Sequence, residues 1–434
     1  MYSEQLAHAL DILSSYGWAI FLVLLLVSFK EFWMVRIVTN YINSLEWVVL
    51  ELKVPRENIK SAKSMEQAFA AIYGIFSFGL RPWEIYVDGK VEHWVSFEMV
   101  GDQNGVHFYV RCPKKNRNLV ENAIFSQYPA AELHEVEDYV NRFPKVLPDD
   151  DYDLFGADFT LQREDAYPIR TYQDFEEINV KEEEDKLDPV AAIVEDLSRL
   201  EEGEVVWIQL IVSPADEEEW LKEAKEVIDV EAGKKQKPKK GGIFAGGGEF
   251  IGNLSKAAVL SPEWAGALTP EKQFFRIYTP GEQEYLKAMS RKVSKRGFHA
   301  LYRMVYIGKK EIYDPKHFEA IVGALQLYTA LDRNAMKPRT KQTLTKGTKV
   351  SRFPWRRPKL LLRRKRLLYK AYVERDIPHP HIPHAFRLKL KTSIFNTEEL
   401  ASLYHPPAIS VRAPKLRPTQ FKKGEPPVDL PIKT

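Results

Sequence analysis

The chain has 434 residues, which is too long for one ordinary hydrophobic core and predicts two or three globular units. Hydrophobic residues make up 44 % of it and aromatic residues 12 %, which excludes a wholly disordered protein, and 28 % charged residues exclude a polytopic membrane protein. The single cysteine, Cys112, excludes an intramolecular disulfide framework and a zinc site built on several thiolates.

An apolar stretch near the N-terminus predicts a single transmembrane helix over about residues 16–38. Residues 16–29 have no formal charge, and extension to Val38 reaches the ~20 residues that a bilayer requires, because Lys30 and Arg36 can extend to the interface. A buried core helix and a cleaved signal peptide are the alternatives. Acidic residues before the stretch and bulky residues after it argue against a signal peptide. The side chains expected to contact lipid are Trp18, Phe21, Leu24, Leu25, Phe29 and Trp33.

The charges around this stretch predict its orientation. Acidic residues precede it and Lys30, Arg36, Lys53 and Arg56 follow it. By the positive-inside rule, the bulk of the chain is expected in the cytoplasm, attached to the membrane by residues 1–44 as a single-pass protein.

Residues 45–145 predict a first α+β domain. The order of strands and helices is that of a ferredoxin-like sandwich. Asp88–Gly89 is a typical hairpin dipeptide between two strands. The predicted elements are a strand at 45–54, a helix at 61–75, strands at 83–87, 91–100 and 106–111, a helix to about 128 and a strand at 131–136.

Residues 146–335 predict a second α+β domain of the same general kind, which includes residues 155–163 and has strands at 205–212 and 298–307. An acidic segment at 174–188 and a Gly/Lys-rich insertion at 232–258 interrupt it. The similar order of elements does not establish an internal duplication. Three helix starts are indicated by proline and capping residues, at Ser213–Pro214, at Thr279–Glu282 and at Asp314–Pro315.

Charge is distributed very unevenly along the chain. Residues 131–231 contain about 32 acidic and about 9 basic residues, whereas residues 287–373 contain about 24 basic and about 4 acidic ones. Residues 336–434 predict an extended, basic, proline-rich tail with helices at about 359–372 and 397–404. Nucleic acid or anionic lipid is expected to contact the six cations Arg356, Arg357, Arg363, Arg364, Lys365 and Arg366.

Two other interpretations of this basic helix stay open. It can pair with the acidic half of the same chain or of a neighbouring copy, or it can be a solvated helix that covers its own core. The sequence does not decide between them.

No motif of established catalytic chemistry is present. The glycine cluster at 241–248 is followed by Glu249 and Phe250, so it lacks the lysine and hydroxyl of a phosphate-binding loop. The histidines between His379 and His384 suggest a metal site, or a DNA-nicking site with Tyr369 or Tyr372 as nucleophile, but the alternating prolines favour an extended linker. The sequence therefore predicts no enzyme, no cofactor and no bound metal.

Residues 396–407 (NTEELASLYHPP), 422–427 (KKGEPP) and 430–431 (LP) resemble the connector that leads into the motor domain of conjugation-type, type IV secretion-like DNA-translocating ATPases. Residues 108–129 (FYVRCPKKNRNLVENAIFSQYP) and the apolar start resemble the region upstream of those motors. In that family the connector leads into a RecA-like ATPase, whereas this sequence ends at Thr434. The resemblance therefore implies a non-catalytic half anchored in the inner membrane of a bacterial cell, whose motor is a separate chain or has been lost.

The resulting expectation is a scaffold of a DNA-translocation system with a lipid bilayer and a RecA-like motor ATPase as partners. Contact with DNA and self-association into a homo-oligomer remain open. A membrane-tethered module that binds nucleic acid or anionic lipid through residues 355–372 is the alternative function. The residues expected to contact the partner are Glu398, Glu399, Tyr404, Lys422, Lys423 and Glu425.

Overall fold

The computed structural model describes residues 2–55, 61–77, 79–176, 188–234, 278–330, 332–378 and 390–407, with the backbone alone for residues 2–17 and 20. The helices are α1 (Tyr2–Ser44), α2 (Ala62–Ile72), α3 (Pro82–Tyr86), α4 (Arg117–Gln127), α5 (Tyr172–Glu176), α6 (Pro189–Leu197), α7 (Glu217–Glu231), α8 (Pro280–Val293), α9 (Lys316–Leu325), α10 (Gly347–Val350), α11 (Arg357–Val373) and α12 (Thr397–Leu403). The strands are β1 (Trp47–Lys53), β2 (Val95–Asp102), β3 (Gly105–Pro113), β4 (Glu132–Val136), β5 (Tyr152–Leu161), β6 (Glu204–Pro214), β7 (Gly297–Lys309), β8 (Met336–Pro338) and β9 (Ser393–Asn396).

The nine strands form one sheet in which every pair is antiparallel. The strand order is β4-β1-β3-β2-β6-β7-β5-β8, and β9 pairs with the first residues of β7. Helices cover both faces of the sheet. The predicted α+β class is therefore confirmed.

The sheet consists of two halves with the same strand order. The first four strands lie in the order β4-β1-β3-β2, and the next four repeat this order as β8-β5-β7-β6. The edge strands β2 and β6 join the halves over the pairs Val95–Val212 to Gly101–Val206. The predicted domain boundary near residue 145 thus lies between two sets of strands that share one sheet.

One large hydrophobic core lies between one face of the sheet and helices α2, α4, α6, α9 and α12. The opposite face packs against α11, and Ile42 near the end of α1 packs against the same cluster. The strands β2, β6 and β7 are buried on both faces along most of their length, which explains their nearly continuous apolar sequences.

Most predicted elements are confirmed, including the capping box in which Thr279 accepts a hydrogen bond from the Glu282 amide. The predicted strand at 83–87 is wrong, because Pro82 occupies the first turn of α3 and the Glu84 carboxylate accepts from the Arg81 amide at 3.0 Å. The predicted helix start at Ser213–Pro214 is also wrong. Those residues end β6, and Asp216 caps α7 instead.

The predicted extended tail requires a correction. Its residues 336–378 and 390–407 contribute two strands and three helices to the fold, and α12 is buried along its whole length. Within the part of the chain whose side chains are described, no helix combines the length and the apolar character needed to cross a membrane. The predicted transmembrane span is therefore unsupported there.

Candidate functional site

The C-terminal third of α1 is fixed to the rest of the fold. Met34 and Val38 are buried there, and the Trp33 Nε1–H donates to the Tyr86 carbonyl at 2.9 Å. The turn after α3 fits against the helix backbone at Gly89. This glycine has a φ of 68°, and an added Cβ would lie 2.5 Å from the Ile37 carbonyl carbon. A side chain at position 89 would therefore push α1 away from the domain.

A histidine contributes a polar contact to the same junction. The Nε2 of His93 lies 3.0 Å from the Tyr41 hydroxyl of α1, and its Nδ1 lies 3.4 Å from the Asn116 amide nitrogen. Burial, assisted by the nearby Lys115 charge, lowers the pKa of His93 to about 4. The imidazole is therefore neutral at physiological pH, and its protonation would weaken this junction.

The middle of α1 stands clear of the described part of the fold. Every side chain from residue 21 to residue 30 is exposed, and residues 21–27 are all apolar. Because these apolar side chains cover the whole circumference of the helix, burying one face would not remove them from water. The residues predicted to contact lipid are exposed by 43–67 % in this structure: Trp18, Phe21, Leu24, Leu25, Phe29 and Trp33.

The basic helix α11 divides its predicted contact residues between the fold and the solvent. Lys365 is buried and its Nζ lies 2.6 Å from Asp153 Oδ1. Arg364 donates to the Leu344 carbonyl at 2.9 Å and to the Lys341 carbonyl at 2.8 Å. Both cations therefore have partners within the fold, which favours a structural role for them.

The other four of the six predicted cations are more exposed than Lys365 or have fewer contacts than Arg364. Arg357 is partly buried and donates from Nε to the Ser351 carbonyl at 3.0 Å. Arg356, Arg363 and Arg366 are exposed. Only these three of the six are available on the surface without breaking a contact inside the fold.

A buried charge network attaches the end of α11 to the sheet. Arg375 follows the helix with a φ of 50°, and its guanidinium makes two hydrogen bonds to the Glu98 carboxylate, at 2.9 and 3.0 Å. It also makes two to Asp138, at 2.7 and 2.8 Å. Burial alone would raise the pKa of Glu98, but Arg375 and neighbouring hydroxyls lower it to about 2. The pair is therefore ionised throughout the physiological range.

The network continues across the join between the two halves of the sheet. Gln209 on β6 donates to Glu98, and its side-chain oxygen accepts from Arg303 on β7 at 3.2 Å. Arg303 also donates to Asp158 at 2.7 Å and to the Ala371 carbonyl of α11 at 2.6 Å. This row of polar side chains is fully buried, so each charge depends on its partners. The row connects both halves of the sheet to α11.

These contacts also bear on the uneven charge distribution. Cations of the basic region pair with carboxylates of the acidic region within one chain, as in Lys365–Asp153 and Arg303–Asp158. Pairing within the chain, one of the alternatives left open by the sequence, therefore occurs at these positions.

The predicted partner residues on α12 are buried in the chain's own fold. The Glu398 carboxylate lies 2.7 Å from Lys295 Nζ, and Glu399 lies 3.0 Å from Lys292 Nζ. Burial raises the pKa of Glu399, opposed by Lys292. The Tyr404 ring packs against two aromatic residues of the first half of the sheet. All three side chains have contacts within the chain, so their location does not favour contact with a partner.

The remaining predictions concern the single cysteine, a metal site and segments that lie outside the described residues. Cys112 is buried, and burial raises the pKa of its thiol to about 12, which makes it unreactive. Among the described residues no cluster of histidine, cysteine and acidic side chains is arranged to hold a metal ion. The histidine-rich segment 379–384, the Gly/Lys-rich insertion beyond residue 234 and the predicted contacts Lys422, Lys423 and Glu425 lie outside the described residues.

Comparison with known families identifies one match. A family model described as a domain of unknown function, DUF8128, matches residues 46–417. The chain belongs to the DUF8128 family. The matched DUF8128 region begins just before β1 and includes both halves of the sheet, α11 and α12. No curated protein matches the chain.

The sequence analysis missed the buried network. Arg375 comes three residues after the predicted helix, and the alternation of β2 places Glu98 between Ser96 and Val100 on the same face. A carboxylate in the middle of a mostly apolar strand is a signal that a buried cation is needed. It does not indicate which of the 63 basic residues supplies that cation.

Proposed function

We propose that this protein is a non-catalytic platform attached to a lipid bilayer through α1. The observation that carries the proposal is the run of exposed apolar side chains at residues 21–27, which surrounds the helix on all sides. Apolar surface of this kind is stabilised by burial in lipid or in a partner protein. Attachment of the chain to the bilayer requires that these side chains be transferred from water into lipid.

The remainder of the fold suits a rigid platform. We infer that both halves are ferredoxin-like sandwiches, since each repeats the same strand order with helices on the same face. Their edge strands are joined over seven residue pairs, and the buried Glu98–Arg375 network holds α11 across the join. Such contacts resist relative movement of the halves, which favours a supporting role.

The partner proposed from the resemblance is a RecA-like motor ATPase on a separate chain. One observation supports this idea: the residues that precede position 408 are fixed in the fold. The Tyr404 hydroxyl donates to the Tyr109 carbonyl at 3.3 Å, and His405 lies 3.1 Å from Asp188. A partner that binds next to these residues would be held close to the platform.

This function is tested by isolating the tagged full chain from native membranes after cross-linking. A RecA-type ATPase should be recovered with it, and deletion of residues 408–434 should abolish the recovery. A K222Q/K225Q variant, altered at exposed sites on α7, should recover the ATPase normally. Failure of the intact chain to retain such an ATPase would contradict the proposal.

A further inference from the structure

A continuous stripe of cations follows the exposed side of α11 and the turn before it. The spacing alternates between three and four residues, which within α11 places Lys359, Arg363, Arg366 and Lys370 along one line of the helix surface. Only three of them belong to the set predicted from the sequence. The stripe consists of the exposed residues Arg352, Arg356, Lys359, Arg363, Arg366 and Lys370.

Five of the six cations of this stripe have no counter-charge among the residues that the structure describes. Lys370 lies 3.6 Å from Glu374, while the other five make no side-chain ion pair or hydrogen bond with the residues that the structure describes. Like charges three and four residues apart repel one another along a helix. A bound polyanion would relieve this repulsion, so the charge pattern points to an anionic partner.

Apolar side chains beside the stripe favour a lipid surface over a nucleic-acid backbone. The rings of Phe353 and Trp355 lie 5.0 Å apart and are exposed by 48 % and 75 %. Leu360 and Leu362 are also exposed on the flanks of the stripe. Cations combined with exposed tryptophan, phenylalanine and leucine on one helix are typical of segments that lie in the membrane interface.

The position of α11 in the fold agrees with this interpretation. Its buried residues, such as Leu368, pack in the same cluster as Ile42 of α1. Both helices therefore lie on the same face of the sheet. A bilayer that contacts the apolar segment of α1 and the stripe of α11 would therefore contact two helices that pack on the same face of the sheet.

We propose that the cationic stripe of α11 binds the headgroups of anionic lipids, with Phe353 and Trp355 inserted between them. The inference rests on the proposed function for the presence of the bilayer. It adds a second contact, which depends on the lipid charge, to the contact made by α1. Together the two contacts hold one face of the sheet toward the membrane.

The test compares the binding of the full chain to phosphatidylcholine vesicles and to phosphatidylcholine–phosphatidylserine vesicles. Three charges are removed from the stripe in an R356Q/R363Q/R366Q variant, whose side chains have no partner among the described residues. The matched control is K222Q/K225Q/K310Q, which removes three exposed charges elsewhere. Each cation near an anionic surface strengthens binding about fivefold, so the stripe variant should bind the anionic vesicles about 100-fold more weakly.

The control should keep its affinity, and the stripe variant should bind neutral vesicles as the parent does. Repeating the comparison in an F21Q/L25Q/F29Q background separates the two proposals. If α1 does not attach to lipid, neutral binding is absent in every chain, yet the stripe still determines binding to phosphatidylserine. Equal binding of parent and stripe variant to anionic vesicles would overturn the inference. A stripe variant that loses affinity for duplex DNA alone would also overturn it.

Discussion

Glu98 and Gln209 lie directly opposite each other in the β2–β6 pair, and the Gln209 amide donates to the Glu98 carboxylate at 3.0 Å. The two residues occupy matching places in two halves that share one strand order. Arg375 then joins Glu98 from the end of α11. The junction between the halves and the attachment of the basic helix therefore depend on the same buried carboxylate.

Removing the Arg375 cation from its pair with Glu98 should destabilise the fold. An R375M substitution leaves the Glu98 charge buried without its main partner, and we expect a loss of about 3–5 kcal/mol in the free energy of unfolding. K370M removes an exposed cation from the same helix and should cost about 1 kcal/mol or less. Urea unfolding measures both. A loss for R375M no larger than that for K370M would contradict the assigned role.

The same pair predicts a dependence of stability on pH. The pKa of Glu98 is about 2 in the folded chain against an ordinary value of 4.5, so its contribution is complete above about pH 4.5 and is lost as the pH falls toward 2. This difference corresponds to about 3 kcal/mol. Substitution E98Q should therefore reduce the acid-induced loss of stability in that interval. An unchanged slope in the variant would be inconsistent with a lowered pKa.

His93 predicts a second effect at milder pH. Its pKa of about 4 is below its ordinary value of 6.5, so its contribution is present above pH 6.5 and declines as the pH falls toward 4. Unfolding measured at pH 7 and pH 5 should show a smaller difference for H93Q than for the parent chain. H134Q, at an exposed histidine, should behave as the parent. Identical behaviour of H93Q and H134Q would count against this assignment.

Gly89 tests how closely α1 is held. G89A should destabilise the chain by about 1–3 kcal/mol and loosen the helix, because a methyl group there meets the Ile37 backbone. G79A is the matched control. Gly79 also has a positive φ, 86°, but no atom within 4 Å of an added Cβ. Hydrogen exchange at residues 34–44 should rise in G89A alone. Equal exchange in both variants would show that the contact does not hold the helix.

The sequence predicted local structure better than long-range contacts. β1, β3 and α8 follow from apolar runs and a capping box, which act between near neighbours. The β2–β6 pair joins residues more than 100 positions apart. Both strands are apolar, and their sequences do not specify the strand with which each one pairs. Trp83 and its neighbours favour strands by composition, yet the proline before them and the Glu84 cap produce α3.

Charged residues account for most of what was missed at the candidate site. Glu398 and Glu399 are predicted from the sequence to contact a partner, although both are buried, which is rare for carboxylates. Lysines of α8 and the turn after it neutralise them in the core, and those lysines precede them by about 100 positions. The basic helix was predicted as one cationic cluster. Only its packing shows that Arg364 and Lys365 belong to the fold, whereas Arg363 and Arg366 face outward.

The central claim is that the exposed apolar part of α1 attaches the chain to lipid. Flotation with phosphatidylcholine vesicles tests it most directly, because these vesicles have no net charge and the cationic stripe should not bind them. The full chain should float with the vesicles, and the F21Q/L25Q/F29Q variant should remain with unbound protein. An F125Q/V146Q/I312Q variant, altered at three exposed apolar sites on the domain, should float as the parent does. A parent chain that fails to float, or an α1 variant that floats equally well, would contradict the account.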